Sequence, residues 1–259
     1  MAGAFNLLMG SLWMRRTAAV FIASALVVVV GADASAVRGA QPPALPSFCS
    51  DSSPCRLPAG SYQLGYSTVI EGLQLTLPRG WSSAENSGGE LKLVPPGHPN
   101  EWLFIWLDLV AVKSTGKGAG TILPGVGRGP TKLIGWLTHN PDFAVVSRPS
   151  PSRLVHGVRM TTLALGVSTS ANFGDPGCPS NPRCAALFKD PKYWGASDFY
   201  AIGAPEEVRL YLSTVRFGGA SHTLFVALDA ENHARLLRLT ATARGIIASL
   251  RLPTRAPAG

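Results

Sequence analysis

Residues 70–81 read IEGLQLTLPRGW. Leu73, Leu75 and Leu77 fall at every second position, so an extended strand here puts all three on one face and leaves the other polar. Pro78-Arg79-Gly80 turns the chain, and Trp81 returns it to a core. Outward from this segment the alternation recurs as ELKLV over 90–94, and WLFIWLDLVAV over 102–112 reads as one long central strand. Phe143–Ser147 reads as a strand. Leu154–His156 and Arg159–Val167 read as a pair around Gly157, and Val208–Phe217 with Thr223–Asp229 as a hairpin about Gly218-Gly219-Ala220-Ser221. Pro130 opens a helix to about His139, with Leu133, Ile134, Trp136 and Leu137 as its apolar face and Asn140-Pro141 ending it. A last helix runs from about Glu231 to Leu250. Leu236, Leu239, Ala243, Ile247 and Leu250 form its stripe, and Gly245 costs it about 1 kcal/mol. Helices laid on an antiparallel sheet make an α+β domain.

The chain has 259 residues, 46% hydrophobic and 15% charged, a core-forming composition. Its formal net charge is +8. Without residues 1–36, which hold Arg15, Arg16 and Asp33, 21 basic and 14 acidic residues remain. A basic balance suits acidic partners, but the cations are scattered and not interleaved with aromatics, which argues against nucleic acid. Arg outnumbers Lys 17 to 6 in an Ala- and Gly-rich chain, a mix typical of a GC-rich bacterial genome.

Residues 17–30, TAAVFIASALVVVV, are uncharged and follow Arg15 and Arg16. The small residues Ala34-Ser35-Ala36 come next. Basic lead, apolar run and small-x-small site together read as a secretory signal peptide over 1–36, with cleavage after Ala36. As a helix the run spans only about 21 Å, short of a bilayer core of roughly 30 Å. The alternative is an uncleaved anchor that recruits Leu7 to Trp13. Met14 begins a more conventional signal and suits a translation start. Cys49 lies 18 positions past Gly31, behind the bulky Phe48, and fits no lipidation site.

Four cysteines form two pairs of equal spacing, Cys49 with Cys55 and Cys178 with Cys184. In an exported chain an even count implies disulfides, and short equal spacings favour local bonds, each stabilising by about 2 kcal/mol. Zinc spacing and a neighbouring His are both missing, so no metal is expected. Residues 37–59, rich in Pro, Ala and Ser, read as a flexible arm pinned by the first bond. A single domain spans 60–252, residues 168–195 form a Cys-bearing insertion within it, and 253–259 are a disordered tail.

No constellation names a reaction. His98, His139, His156, His222 and His233 show no paired ligand spacing. Gly65-Tyr66-Ser67-Thr68-Val69 lacks the closing Gly of a nucleophile elbow. Glu206 and Glu207 are adjacent on a strand and so face opposite ways. Trp102 and Trp106 share a strand face and read as core, with a carbohydrate platform as the alternative. Gly116-Lys117 sits too far ahead of the helix for a phosphate loop. Between Asp108 and Asp142, however, no acidic residue occurs, while Lys113, Lys117, Arg128 and Lys132 punctuate a Gly-rich stretch that ends at a helix N-terminus. These four are the candidate anion-binding residues.

IEGLQLTLPRGW and the closing GIIASLRL, residues 245–252, resemble the opening strand and turn and the C-terminal helix of Mog1/PsbP-like domains. The resemblance covers most of 60–252 in outline and the two ends firmly, and the 168–195 insertion departs from it. It implies an α-β-α sandwich around an antiparallel sheet, in a group used mostly for binding and assembly, and it transfers no functional residue. The expected function is therefore that of an exported, non-enzymatic binding or accessory protein of the cell envelope or exterior, without a cofactor. Its partner would be an envelope protein, an anionic polymer or a lipid surface, with membrane attachment only through an uncleaved signal segment. The alternative is a secreted hydrolase whose catalytic residues are distant in sequence. N-terminal sequencing of the protein recovered outside the cytoplasm should begin at Val37; an intact N-terminus in the cytoplasm contradicts export.

Overall fold

The computed structural model describes residues 41–46, 49–50, 53–65, 70–87, 89–155, 157–172, 183–195 and 197–253. Ala34, Ala36, His156, Cys178, the 66–69 segment and 254–259 lie outside them. The described residues form, in chain order, β1 (Cys55–Arg56), β2 (Gly60–Gln63), β3 (Gln74–Leu77), β4 (Ser82–Ser87), β5 (Glu90–Val94), β6 (Trp102–Leu107), β7 (Val110–Ala111), α1 (Pro130–His139), β8 (Phe143–Ser152), β9 (Met160–Val167), β10 (Cys184–Lys189), β11 (Tyr200–Gly203), β12 (Glu207–Phe217), β13 (Ala220–Ala230) and α2 (His233–Ser249).

An antiparallel sheet in the order β1-β4-β5-β6-β13-β12-β9-β8 forms the middle layer. β6 is apolar at every position, and so is β13 from Leu224 to Leu228, because both faces of the sheet are covered there. On one face Leu103, Ile105, Leu224, Val226 and Leu228 meet Leu236, Leu239, Ala243, Ile246 and Ile247 of α2, with the β2–β3 hairpin beside them. On the other, Phe104, Trp106, Phe225 and Ala227 meet Leu133 and Leu137 of α1 together with Leu187, Phe188 and Ile202 of a small sheet ordered β11-β10-β7. This is the α+β domain expected from the order of strands and helices, with the sheet between two covering layers as the resemblance implies. The last helix is capped where Asn232 accepts from the Arg235 N–H at 3.1 Å. It is tied down by an ion pair between Arg238 and the buried Glu101 just before β6.

Four expectations need correction. The run over 102–112 is two strands, because Asp108 adopts φ 53° and turns the chain out of the large sheet; β7 then pairs with β10. The 168–195 stretch is more than an insertion: β10 lies within it, buried at every position, and pairs with β11 and β7. The described part of the 37–59 arm is built into the domain. Leu45 and Leu57 are buried, β1 pairs with β4, and the Leu45 N–H donates to the Gln63 carbonyl at 2.9 Å. Finally, Leu154 and Val155 belong to no strand. β9 pairs instead with β8, which runs on through Pro149 and Pro151. Proline is tolerated there because β8 is the sheet edge and its register shifts around Ser147. The Cys49–Cys55 disulfide is formed. Cys184 begins β10 and is buried; its expected partner Cys178 lies outside the described residues.

One buried acid makes the fold sensitive to pH. Asp229, near the end of β13, is buried and accepts the Tyr200 hydroxyl at 2.7 Å, while its Oδ1 makes no hydrogen bond. Burial pushes its carboxyl up to about 7. The Glu206 charge adds to this, and the Tyr200 bond and the Lys92 charge oppose it. Burial also raises the Tyr200 phenol well above its usual value, helped by the Asp229 charge. Because the folded value exceeds the unfolded one, Asp229's contribution is complete below about pH 4 and is lost as pH rises toward about 7. Denaturant titrations should find unfolding free energy falling by up to a few kcal/mol across that window, and Asp229→Asn should flatten this part of the profile. An unchanged profile in the variant contradicts the assignment.

Candidate functional site

The bend at Asp108 is the only positive φ outside glycine among the described residues. Aspartate tolerates that conformation better than a branched side chain because its short carboxylate can bond locally. Here it does so twice. Oδ1 accepts the Thr223 N–H at 2.8 Å, and Oδ2 accepts from His222 Nδ1 at 2.7 Å. Both donors belong to the start of β13, where the two-residue turn at Gly218 and Gly219, each with positive φ, folds the hairpin back. Phe217 and His222 flank that turn, and their rings stack at 4.4 Å between centroids. The Thr223 hydroxyl donates to the Arg128 carbonyl at 2.7 Å, fixing the end of the Gly-rich loop to the same hairpin.

A pocket of about 300 Å³ opens around this knot. Asp108, Phe217 and His222 line it from one side, Arg128 from the loop, and Lys192 and Tyr193 from the turn after β10. That turn is set by Asp190, buried, whose Oδ1 accepts the N–H groups of Lys192 and Tyr193 at 2.7 and 3.0 Å. It also explains Gly89: a Cβ at this position would lie 2.4 Å from the Tyr193 ring and 2.7 Å from the Asp190 carboxylate. Lys192 Nζ donates to the Tyr193 hydroxyl at 2.7 Å, which holds its pKa above the usual value.

Donation from Nδ1 to Asp108 fixes the imidazole's tautomer and leaves Nε2 as its second functional atom. The pocket therefore combines an oriented imidazole with one guanidinium and one ammonium. Asp108 and Asp190 are already engaged by hydrogen bonds. Among the described residues, no serine, threonine or cysteine lines it. Among the described residues no group of three His, Cys, Asp or Glu could hold a metal ion.

The four predicted cations are all exposed, but of them Arg128 alone lines this pocket. Lys113 Nζ turns back onto the Lys117 carbonyl at 2.5 Å. Residues 113–121 close on themselves through Lys113 N–H to Thr121 O at 2.7 Å and Gly120 N–H to Lys113 O at 2.8 Å. Lys132 lies on α1, near Gly127. His98 approaches Glu101, His139 contacts the Gly135 carbonyl and His233 contacts Glu207; none of the three lines the pocket. Glu206 and Glu207 take different partners, the Gly203 N–H and His233. Asp108, His222, Lys192 and Tyr193 were not singled out by spacing. Two signals do point at them: one acid inside the run WLFIWLDLVAV, and a histidine three residues past a Gly-Gly turn.

The described architecture is α+β, an antiparallel sheet with helices against it. The chain matches no family model and no curated protein. Among solved structures it is similar to LpqN of Mycobacterium tuberculosis, described as involved in cell envelope biogenesis. That likeness has 18% identity over 76% of this chain and 87% of that one, with a TM-score of 0.39. It is also similar to the Ran-binding protein Mog1p of Saccharomyces cerevisiae, with 10% identity over 76% of this chain and 96% of that one and a TM-score of 0.36. These likenesses concern the outline of the fold, and no residue role passes through them.

Proposed function

We propose that this is an exported binding or accessory protein of the cell envelope, and that its ligand or partner presents an anionic group to the pocket at Asp108 and His222. The observation that carries this reading is the convergence of Arg128, Lys192 and an oriented His222 on one pocket from three separate segments. Two cations and an imidazole suit a phosphate or carboxylate through charge-assisted hydrogen bonds. The signal-like segment over 1–36 and the Cys49–Cys55 bond support an oxidising compartment outside the cytoplasm. A phosphate-bearing envelope polymer or anionic lipid is the partner class that fits this charge.

The Asp108–His222 pair also favours a second reading, a secreted hydrolase, since a carboxylate-oriented imidazole is the base half of an acyl-transfer or hydrolytic site. Among the described residues no serine, threonine or cysteine lines the pocket, and the Tyr193 hydroxyl is held by Lys192, which weighs against it.

The test uses the secreted protein with inorganic phosphate and with phosphatidylglycerol vesicles, phosphatidylcholine vesicles serving as the neutral control. Arg128→Ser with Lys192→Ser should weaken binding about tenfold or more, each surface cation being worth about 1 kcal/mol. Replacing Lys113, Lys117 and Lys132 by Ser should change it much less. Binding should fall with salt, while thermal stability stays unchanged in both variants. Equal weakening by the two variants, or none, contradicts the pocket assignment; ester hydrolysis abolished by His222→Ala favours the hydrolase.

A further inference from the structure

A groove of about 520 Å³ lies beside β1, the start of β4 and the end of β5. Three separate segments build it: residues 54 and 56–58, the turn 79–82 and the turn 94–99. Each is fixed to the next. Arg56 stands opposite Ser82, and Ser82 opposite Val94, so the three share one face of the sheet. The Leu57 N–H donates to the Trp81 carbonyl at 3.2 Å. Gly80, at φ 93°, lies against the third segment: a Cβ there would come within 3.0 Å of the Pro96 side chain. The His98 N–H closes that segment onto the Pro95 carbonyl at 3.3 Å. Leu57, Trp81 and Val94, all buried, form the floor. Five of the lining residues are prolines, whose rings fix the backbone, so the groove holds its shape before any ligand arrives.

The charge on the rim has one sign. Arg56 and Arg79 are exposed, and among the described residues neither guanidinium has a hydrogen-bond or ion-pair partner. No carboxylate among the described residues lines the groove. Glu101, three residues past His98, is buried and taken up by Arg238. His98 turns its Nδ1 toward the same pair, 3.4 Å from Arg238 and 3.7 Å from Glu101. A cationic ligand would therefore meet two unpaired guanidiniums and no compensating acid. A wholly polar anion would leave the floor of Leu57, Trp81 and Val94 unused. Acyl chains need a cavity closed to water, whereas Pro58, Pro96 and Pro99 on this rim are exposed. An extended peptide with carboxylates set between apolar side chains satisfies both features: the acids meet Arg56 and Arg79, and the apolar side chains meet the floor and the proline rings. We infer that this groove docks an extended acidic segment of a partner protein. It shares no lining residue with the Arg128 pocket.

A phage-displayed library of random peptides, selected on the secreted protein, tests it, with the enriched peptides then synthesised and titrated by fluorescence anisotropy. They should carry Asp or Glu between apolar residues, and they should bind more weakly as salt rises. Arg56→Ser with Arg79→Ser should weaken binding about tenfold or more and leave thermal stability unchanged, since both side chains are exposed. Arg56→Glu with Arg79→Glu should abolish it. Arg128→Ser with Lys192→Ser should leave it unchanged, which separates failure here from failure of the anionic pocket. At matched ionic strength, inorganic phosphate and phosphatidylglycerol vesicles should not displace the peptide. No enrichment, enriched peptides without acids, binding indifferent to the Arg56 and Arg79 pair, or displacement by phosphate or by the anionic vesicles overturns the inference.

Discussion

The structure turns on a carboxylate held between a backbone N–H and an imidazole. The apolar run that begins at Trp102 has no turn residue until Asp108, and by pattern alone it continues straight. Asp108 stops it by taking a left-handed conformation while its two oxygens bind Thr223 N–H and His222. The bend does three things at once. It ends β6 in the large sheet and delivers Val110 and Ala111 to the small one. It also places an oriented imidazole at the mouth of a pocket. A backbone strain of order 1–3 kcal/mol is offset by two hydrogen bonds to a charged acceptor.

The small sheet that receives β7 gives the protein its second covered face. Without β10 and β11 the aromatic row Phe104, Trp106 and Phe225 would face water. With them it forms a core in which Phe188 lies edge-on to Phe225 at 5.1 Å. The surface features sit where this cover ends. The Asp190–Tyr193 turn follows β10 directly, Trp194 comes next, and Tyr200 opens β11. The pocket at Asp108 and His222 is thus a by-product of how the second face is closed, which is why the segment read as an insertion contributes to it.

The large elements were legible because each obeys one period. Leu73, Leu75 and Leu77 alternate, the helix from His233 repeats at three and four, and the Gly-Gly turn marks its own hairpin. Other features had no such period. β10, CAALFK, is buried at all six positions and shows no alternation, and β11 is only four residues long. The prolines of β8 conceal an edge strand. The pocket was illegible for another reason: its residues come from distant segments, Asp108 and His222 being 114 positions apart. Of the basic loop, the sequence discloses charge but not direction. Arg128 reaches the pocket because Thr223 holds its carbonyl, whereas Lys113 is drawn back onto its own loop.

The central claim is that the Asp108 carboxylate, and not merely the bend, orients His222. Nitrogen-15 NMR of the His222 imidazole, in the wild type and in Asp108→Gly, tests this most directly. Glycine keeps the left-handed backbone open to the chain while removing the carboxylate. The account predicts a wild-type ring with its proton held on Nδ1. In the variant the fold should persist and the ring should relax to a mixture of tautomers. A ring that keeps Nδ1 protonated without the carboxylate would contradict it.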